Sequence, residues 1–308
     1  MVHIAPEKYV TKVEKPADFD HYWAGVLHQA AKIPLDAEVR RDPLRSSEDV
    51  DVYEAFYTSL DSVRIAGWYA IPKIPVGPLP AILTGPGYVG EPSIPKDWAN
   101  RGYAAFSVAP RGKLRSNHQF NPGYPGLLTH GIVDRNSYSY RGFYVDMWRG
   151  VDFLLSREEV DAKRIGVVGS SQGGALALTT SVMRSEIKVA SVGIPYLSGI
   201  IDAIELTHTY PYQEINDYLR LHPERRDAVV ETLAYFDCMN FADKIQCPII
   251  VNVGVQDNLC PIETGYAVFN AIGSNDKKLY AYEGQGHDGG PPEHSGIVSR
   301  FFEKHLKG

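Results

Sequence analysis

Residues 164–178 read RIGVVGSSQGGALAL: an aliphatic run stops at a glycine, two serines, a glutamine and two more glycines, then resumes as small and aliphatic residues. The first half has the composition of a buried strand and the second that of a helix. Between them GSSQG fits G-x-S-x-G, with Gly169 and Gly173 two residues to either side of Ser171. In that pattern the serine sits in a strained conformation on a sharp strand-to-helix turn, and the glycines leave room for strand and helix to approach closely. The stretch therefore reads as a nucleophile elbow with Ser171 at its tip. Ser170, in the variable position, suits a helix N-cap better.

Working outward, short and nearly continuous apolar runs recur at 80–85, 103–109, 188–194, 247–254 and 277–282, as expected of parallel strands covered on both faces. Helical stretches lie between them at 140–157, 173–184 and 262–273, and an amphipathic segment closes the chain. Upstream, residues 16–32 read as a helix, and DVYEAFYTS and VRIAGWYAI around SLDS read as an antiparallel pair. Alternating strand and helix predicts an α/β fold with a mostly parallel, doubly wound sheet in one domain spanning 1–308. Three segments interrupt the rhythm. Residues up to about 45 form an N-terminal helical extension, 110–140 (rich in Pro, Gly, Asn and Tyr) an irregular insertion, and 195–246 a cap-like helical insertion.

A nucleophilic serine needs a base, and the base needs an acid to orient it. Asp257 follows the run CPIIVNVG by three residues, and His287 follows KKLYAY in a glycine-rich loop. The chain order Ser, Asp, His and the strand-end positions fit the serine hydrolases built on such sheets. Asp276 precedes its strand and lies at the wrong end of the sheet. Asp288 is a weaker competitor, pointing away from the base. His294 is expected to face solvent or to cap the last helix. The oxyanion of a tetrahedral intermediate would meet the backbone amides of Gln172, after the nucleophile, and Tyr88, in the loop GPGYVG after the strand at 80–85. Tyr196 and Tyr210 are candidates for lining the pocket. The mechanism needs no metal or organic cofactor, and no metal-ligand cluster is visible. His287 must be neutral to act, so activity is expected to fall at acid pH.

With 31 Lys and Arg against 37 Asp and Glu, the net charge is −6. No dense basic patch appears, which argues against nucleic acid as a partner. GVVGSSQGG lacks both G-x-G-x-x-G and the G-K-[ST] ending of a phosphate-binding loop. Three cysteines cannot all pair and lack zinc-site spacing. The N-terminal stretch lacks the apolar core of a signal peptide, and the most apolar segment is broken by prolines and a lysine. The expectation is a cytoplasmic protein with reduced thiols and no membrane partner.

GSSQGG together with RGK (111–113), SYSYRGFYVD, IPYLS, TLAYFDCMNFADKI, VGVQDN and GHD resembles carbohydrate esterase family 7, the acetyl xylan esterases and cephalosporin C deacetylases. The resemblance runs from KPADFDHYW to FFEKHLKG. It implies an α/β-hydrolase fold that removes acetyl groups from acetylated xylooligosaccharides and related small esters. It carries nucleophile, acid and base onto Ser171, Asp257 and His287, and the oxyanion amides onto Tyr88 and Gln172. It also implies homo-oligomers, often hexamers, with 110–140 as the interface insertion. Two positions depart from the family pattern: Lys113 stands in RGK where the family has Gln, and Asp288 in GHD where it has Glu. Lysine only donates where glutamine donates and accepts, which puts loop anchoring and substrate preference in question. A peptidase or thioesterase on the same fold, and a non-catalytic binding protein, are the rival readings.

Overall fold

Side chains alternate along the central strands and part to two faces. Ala81 and Leu83 enter one buried cluster while Ile82 enters another, and Ala190 and Val189 divide the same way. The computed structural model describes residues 5–308. Its nine strands are β1 (Glu38–Arg41), β2 (Val50–Thr58), β3 (Arg64–Pro72), β4 (Leu79–Thr84), β5 (Ala104–Ala109), β6 (Val160–Ser170), β7 (Ile187–Gly193), β8 (Ile249–Gly254) and β9 (Lys277–Tyr282). They form one sheet in the order β1-β2-β3-β5-β4-β6-β7-β8-β9. The pairs β1–β2, β2–β3 and β3–β5 are antiparallel, and every pair from β5 onward is parallel.

The helices Phe19–Ala31, Ser139–Leu155 and Gln172–Met183 cover the larger face, where Trp23, Trp148 and Leu176 share one core with Phe106 and Val167. The helix His294–Leu306 covers the other face through Val298, Phe302 and Leu306, joined by Trp98. Strand β4 lies between β5 and β6, so the chain leaves β4 toward β5 on one side and leaves β6 toward β7 on the other. Loops that leave the carboxyl ends of β4 and β6 therefore border one crevice, the usual place for a ligand in an open α/β sheet. Register places Thr84, the last residue of β4, beside Val168 of β6.

The N-terminal region departs from the helical extension expected there. After the helix Phe19–Ala31 it contributes β1, which pairs with β2 at the sheet edge. The residues of β1, EVRR, offer no apolar alternation, because a charged edge strand has little to bury. Residues 110–140 contain one short 3₁₀ turn, Leu114–Ser116, yet bury Leu127, Leu128 and Ile132 in the main core. Residues 195–246 hold four α-helices, Ile200–Leu206, Gln213–Leu221, Arg226–Ala234 and Met239–Ala242, and a 3₁₀ turn, Pro223–Arg225.

The irregular segment is pinned at its start by Arg111. Its guanidinium meets Asp146 of the helix Ser139–Leu155 through two bonds of 2.9 Å, and the Arg111 amide donates to the same carboxylate at 2.9 Å. Gly142 makes room for this pair, since a Cβ there would lie 2.1 Å from Arg111 Nη1. Both partners are buried. Asp146→Ala leaves the buried Arg111 cation to its longer carboxylate contact, 3.4 Å to the exposed Asp61, and is expected to lower the unfolding free energy by about 3 kcal/mol. A urea titration reads this as a lower midpoint at unchanged slope. A midpoint equal to wild type would show that the pair contributes nothing.

Candidate active site

The elbow forms as the glycine spacing predicts. Ser171 has φ 57° and ψ −123°, a conformation an L-residue holds only when its surroundings impose it. They do so here: Ser171 N–H donates to Gly193 O at 2.9 Å, and Tyr196 N–H donates to Ser171 O at 3.2 Å, which ties the turn to the end of β7. The helix Gln172–Met183 packs so closely behind it that a Cβ on Gly169 would lie 2.1 Å from Gly173 O. A Cβ on Gly173 would in turn lie 2.4 Å from Gly85 O, in the loop after β4. Ser171 itself occupies the N-cap position without making a side-chain cap. Ser170 is therefore not the cap residue expected for it; it closes β6.

The structure brings Ser171, His287 and Asp257 into one chain of hydrogen bonds. Ser171 Oγ donates to His287 Nε2 at 3.1 Å, and His287 Nδ1–H donates to Asp257 Oδ2 at 2.9 Å. The other oxygen, Asp257 Oδ1, accepts the amides of Leu259 at 2.8 Å and Cys260 at 2.9 Å. Asp257 is buried and His287 half-buried, so the base reaches solvent and its acid does not. The loops after β8 and β9 support the pair by close approach: a Cβ on Gly254 would lie 2.1 Å from Gly286 O. Asp257, Cys260 and His287 also offer donor atoms within 4.8 Å of one another. They suit a cation poorly, because both Asp257 oxygens are engaged and burial with the Asp257 charge pushes the Cys260 thiol well above its usual range.

The amides of Tyr88 and Gln172 are not taken by any hydrogen bond among the described residues. The Gln172 side chain, which the sequence reading did not use, accepts from Tyr140 Oη at 2.7 Å and donates to Gly87 O at 3.2 Å. It thereby links the nucleophile loop to the loop carrying Tyr88. Tyr88 Oη donates to Glu214 Oε1 at 2.6 Å and accepts from Leu128 N–H at 3.0 Å, while Glu214 also accepts Gly126 N–H at 2.8 Å. Burial raises the Glu214 carboxyl above its ordinary value. The irregular insertion and the cap helix Gln213–Leu221 thus meet on one tyrosine.

Ser171 and His287 open into a mostly apolar cavity of about 530 Å³ walled by Tyr88, Val89, Tyr124, Pro125, Tyr210, Pro211, Glu214 and Leu259. Tyr210 lines it, whereas Tyr196 is fully buried against Tyr88 and Tyr212 and lies behind the wall. A second cavity of about 620 Å³ lies on the sheet face covered by the C-terminal helix and holds Ser170, Asn252, Asp288 and His294, with none of Ser171, His287 and Asp257. His294 neither faces solvent nor caps the last helix, the two placements expected for it. It is buried at the start of its helix with Nδ1 bonded to Tyr282 Oη at 2.7 Å, and burial lowers its pKa. Its place against Tyr280 and Tyr282 of β9 comes from helix–sheet packing, which the local sequence did not reveal.

A strained serine after β6, a histidine after β9 and an aspartate after β8 define a serine hydrolase of the α/β-hydrolase fold. Residues 5–305 match the acetyl xylan esterase (AXE1) family, and the chain belongs to that family of carboxylic ester hydrolases. The acetyl xylan esterase from Paenibacillus sp. R4 is 34% identical with a TM-score of 0.92, the match covering 99% of this chain and 100% of that one. Acetyl xylan esterase 1 from Thermoanaerobacterium sp. JW/SL YS485 is 26% identical with a TM-score of 0.89, over 97% of each chain. The acetyl esterase Axe7A of Xylanibacter ruminicola is 28% identical over 294 residues, which are 90% of this chain and 65% of that protein. The chain thus spans a little under two thirds of the length of that curated relative. Family and fold are those expected from the motifs.

Proposed function

We propose that the chain is a serine esterase that removes acetyl groups from acetylated xylooligosaccharides and related small esters, those of the cephalosporin C type included. The observation that carries this reading is the relay Ser171–His287–Asp257 opening into a cavity walled by tyrosines and prolines. Such a cavity suits a short acyl group, with a sugar ring resting against the aromatic rim. Neutral His287 takes the proton of Ser171 as Oγ attacks the acetyl carbonyl, and Asp257 holds the imidazole tautomer. The amides of Tyr88 and Gln172 receive the oxyanion. The sugar alcohol leaves with the proton from His287, and water then enters by the same steps to release acetate.

The proposal extends to assembly and location. Leu114 and Val133 are exposed apolar side chains on the irregular 110–140 segment, which supports that segment as an interface between copies in a homo-oligomer, a hexamer in the reading by resemblance. Three unpaired cysteines support a cytoplasmic setting.

Hydrolysis of p-nitrophenyl esters from acetate to octanoate tests the acyl preference, with release of acetate from acetylated xylotriose beside it. Acetate is expected to be the best ester, with turnover falling as the chain lengthens. Octanoate exceeding acetate, or faster cleavage of an aminoacyl p-nitroanilide, would favour the thioesterase or peptidase reading instead.

A further inference from the structure

Lys113 is fully buried. Its ammonium donates to the carbonyls of Gly87 at 2.8 Å and Tyr88 at 2.5 Å, lies 4.6 Å from the centre of the Tyr124 ring, and forms no ion pair among the described residues. A lone buried cation is costly to keep, so its place here calls for a reason.

The peptide plane supplies one. In a planar trans peptide the carbonyl of Gly87 and the N–H of Tyr88 point in opposite directions. Lys113 Nζ and Gln172 Nε2 both bind the Gly87 carbonyl, so two donors fix the plane from one side. The Tyr88 N–H is left facing away from them, on a loop that shares its cavity with Ser171. We propose that Lys113 is a positioning residue whose ammonium holds and polarises the Gly87–Tyr88 peptide, making the Tyr88 N–H a fixed and stronger donor to the tetrahedral intermediate on Ser171. This rests on the esterase reading above.

The surrounding charges leave this role to Lys113. Arg111 is paired with Asp146 and Arg115 with Glu54, and Glu214 on the cap helix is held by Tyr88 Oη and the Gly126 amide. Glu91, on the loop after β4, accepts the Leu114 amide at 3.1 Å and is, among the described residues, the one carboxylate whose charge reaches Lys113. Burial brings the Lys113 ammonium down to about 8, against the opposing pull of Glu91. The side chain is therefore charged below that pH and neutral above it. A neutral amine keeps donors for both carbonyls but no longer carries the charge that polarises the peptide.

The test compares wild type with Lys113→Gln and Lys113→Met from about pH 5 to about pH 10, using p-nitrophenyl acetate. The wild-type kcat is expected to fall on the alkaline side with an apparent pKa near 8. Lys113→Gln, an uncharged donor, is expected to lose that alkaline limb and to run about tenfold below wild type at neutral pH, with KM little changed. Lys113→Met, which removes the donors as well, is expected to fall further. Cooperative thermal melting checks that each variant folds. The rate of Ser171 phosphonylation by an alkyl fluorophosphonate, followed by mass, repeats the comparison without an ester substrate. In that step the Oγ–P bond forms, fluoride leaves, and His287 takes the serine proton. If wild type is phosphonylated with the same Lys113-dependent pH profile yet ignores acetyl esters, the function proposed above fails and the role of Lys113 stands. An unchanged alkaline limb and kcat in folded Lys113→Gln, a loss confined to KM, or a wild type inert to both reagents would overturn the role.

Discussion

Ser171→Ala is expected to reduce p-nitrophenyl acetate turnover by about 10⁴- to 10⁶-fold while leaving the fold intact. The size follows from the loss of the whole covalent route: with no Oγ to attack, His287 has no proton to take and Asp257 no imidazolium to stabilise. The residual rate would come from the remaining oxyanion donors and the bound geometry. Alanine fits the elbow as serine does, because the serine side chain makes no helix cap, and the strained backbone is held by the Gly193 carbonyl and the Tyr196 amide. Ser170→Ala is the matched control. Its side chain belongs to the second cavity, so turnover is expected to stay close to that of wild type. Equal losses in the two variants would mean that the elbow had been damaged, and retained turnover in Ser171→Ala would remove the serine from the chemistry altogether.

The parts of this site that were legible in sequence are those set by local backbone rules. The glycines around Ser171 are there because two backbones pass within reach of a missing Cβ, and that requirement is written as a spacing. Asp257 and His287 stand just past the ends of apolar runs, and parallel strands deliver their carboxyl ends to the same edge. The roles of Lys113, Glu214 and the Gln172 side chain depend instead on contacts between segments with no common period. Lys113 comes from an irregular stretch 25 residues from Tyr88, and Glu214 from a cap helix 126 residues away. The resemblance marks Lys113 as a donor at a position that bears on loop anchoring, but only tertiary packing shows that it is enclosed and which carbonyls it binds. His294 failed for the same reason. A histidine at a helix start tells nothing of the two tyrosines on the strand beneath it. The short strand β1 escaped because its charged residues carry no burial pattern.

Asp257→Asn is expected to cost about 10⁴-fold in kcat, a loss out of proportion to the change of one atom. The reason lies in the second oxygen. Asp257 Oδ1 accepts two backbone amides, from Leu259 and Cys260. An asparagine at this position must keep its carbonyl oxygen there, since turning the NH₂ group toward two N–H donors would leave three buried donors facing one another. The amide nitrogen is then presented to His287 Nδ1, where the carboxylate stood. Nδ1 must become the acceptor, so the ring proton moves to Nε2, and Nε2 can no longer take the proton of Ser171. The loss is thus a tautomer switch imposed by the β8 loop, expected without disturbance of the fold. Asp257→Ala separates this from simple loss of charge. It frees the ring to sample either tautomer and is expected to retain more activity than Asp257→Asn. A more active Asp257→Asn would show that the Leu259 and Cys260 amides do not dictate the orientation of the side chain, and that its carbonyl oxygen still faces His287 Nδ1–H and holds the productive tautomer.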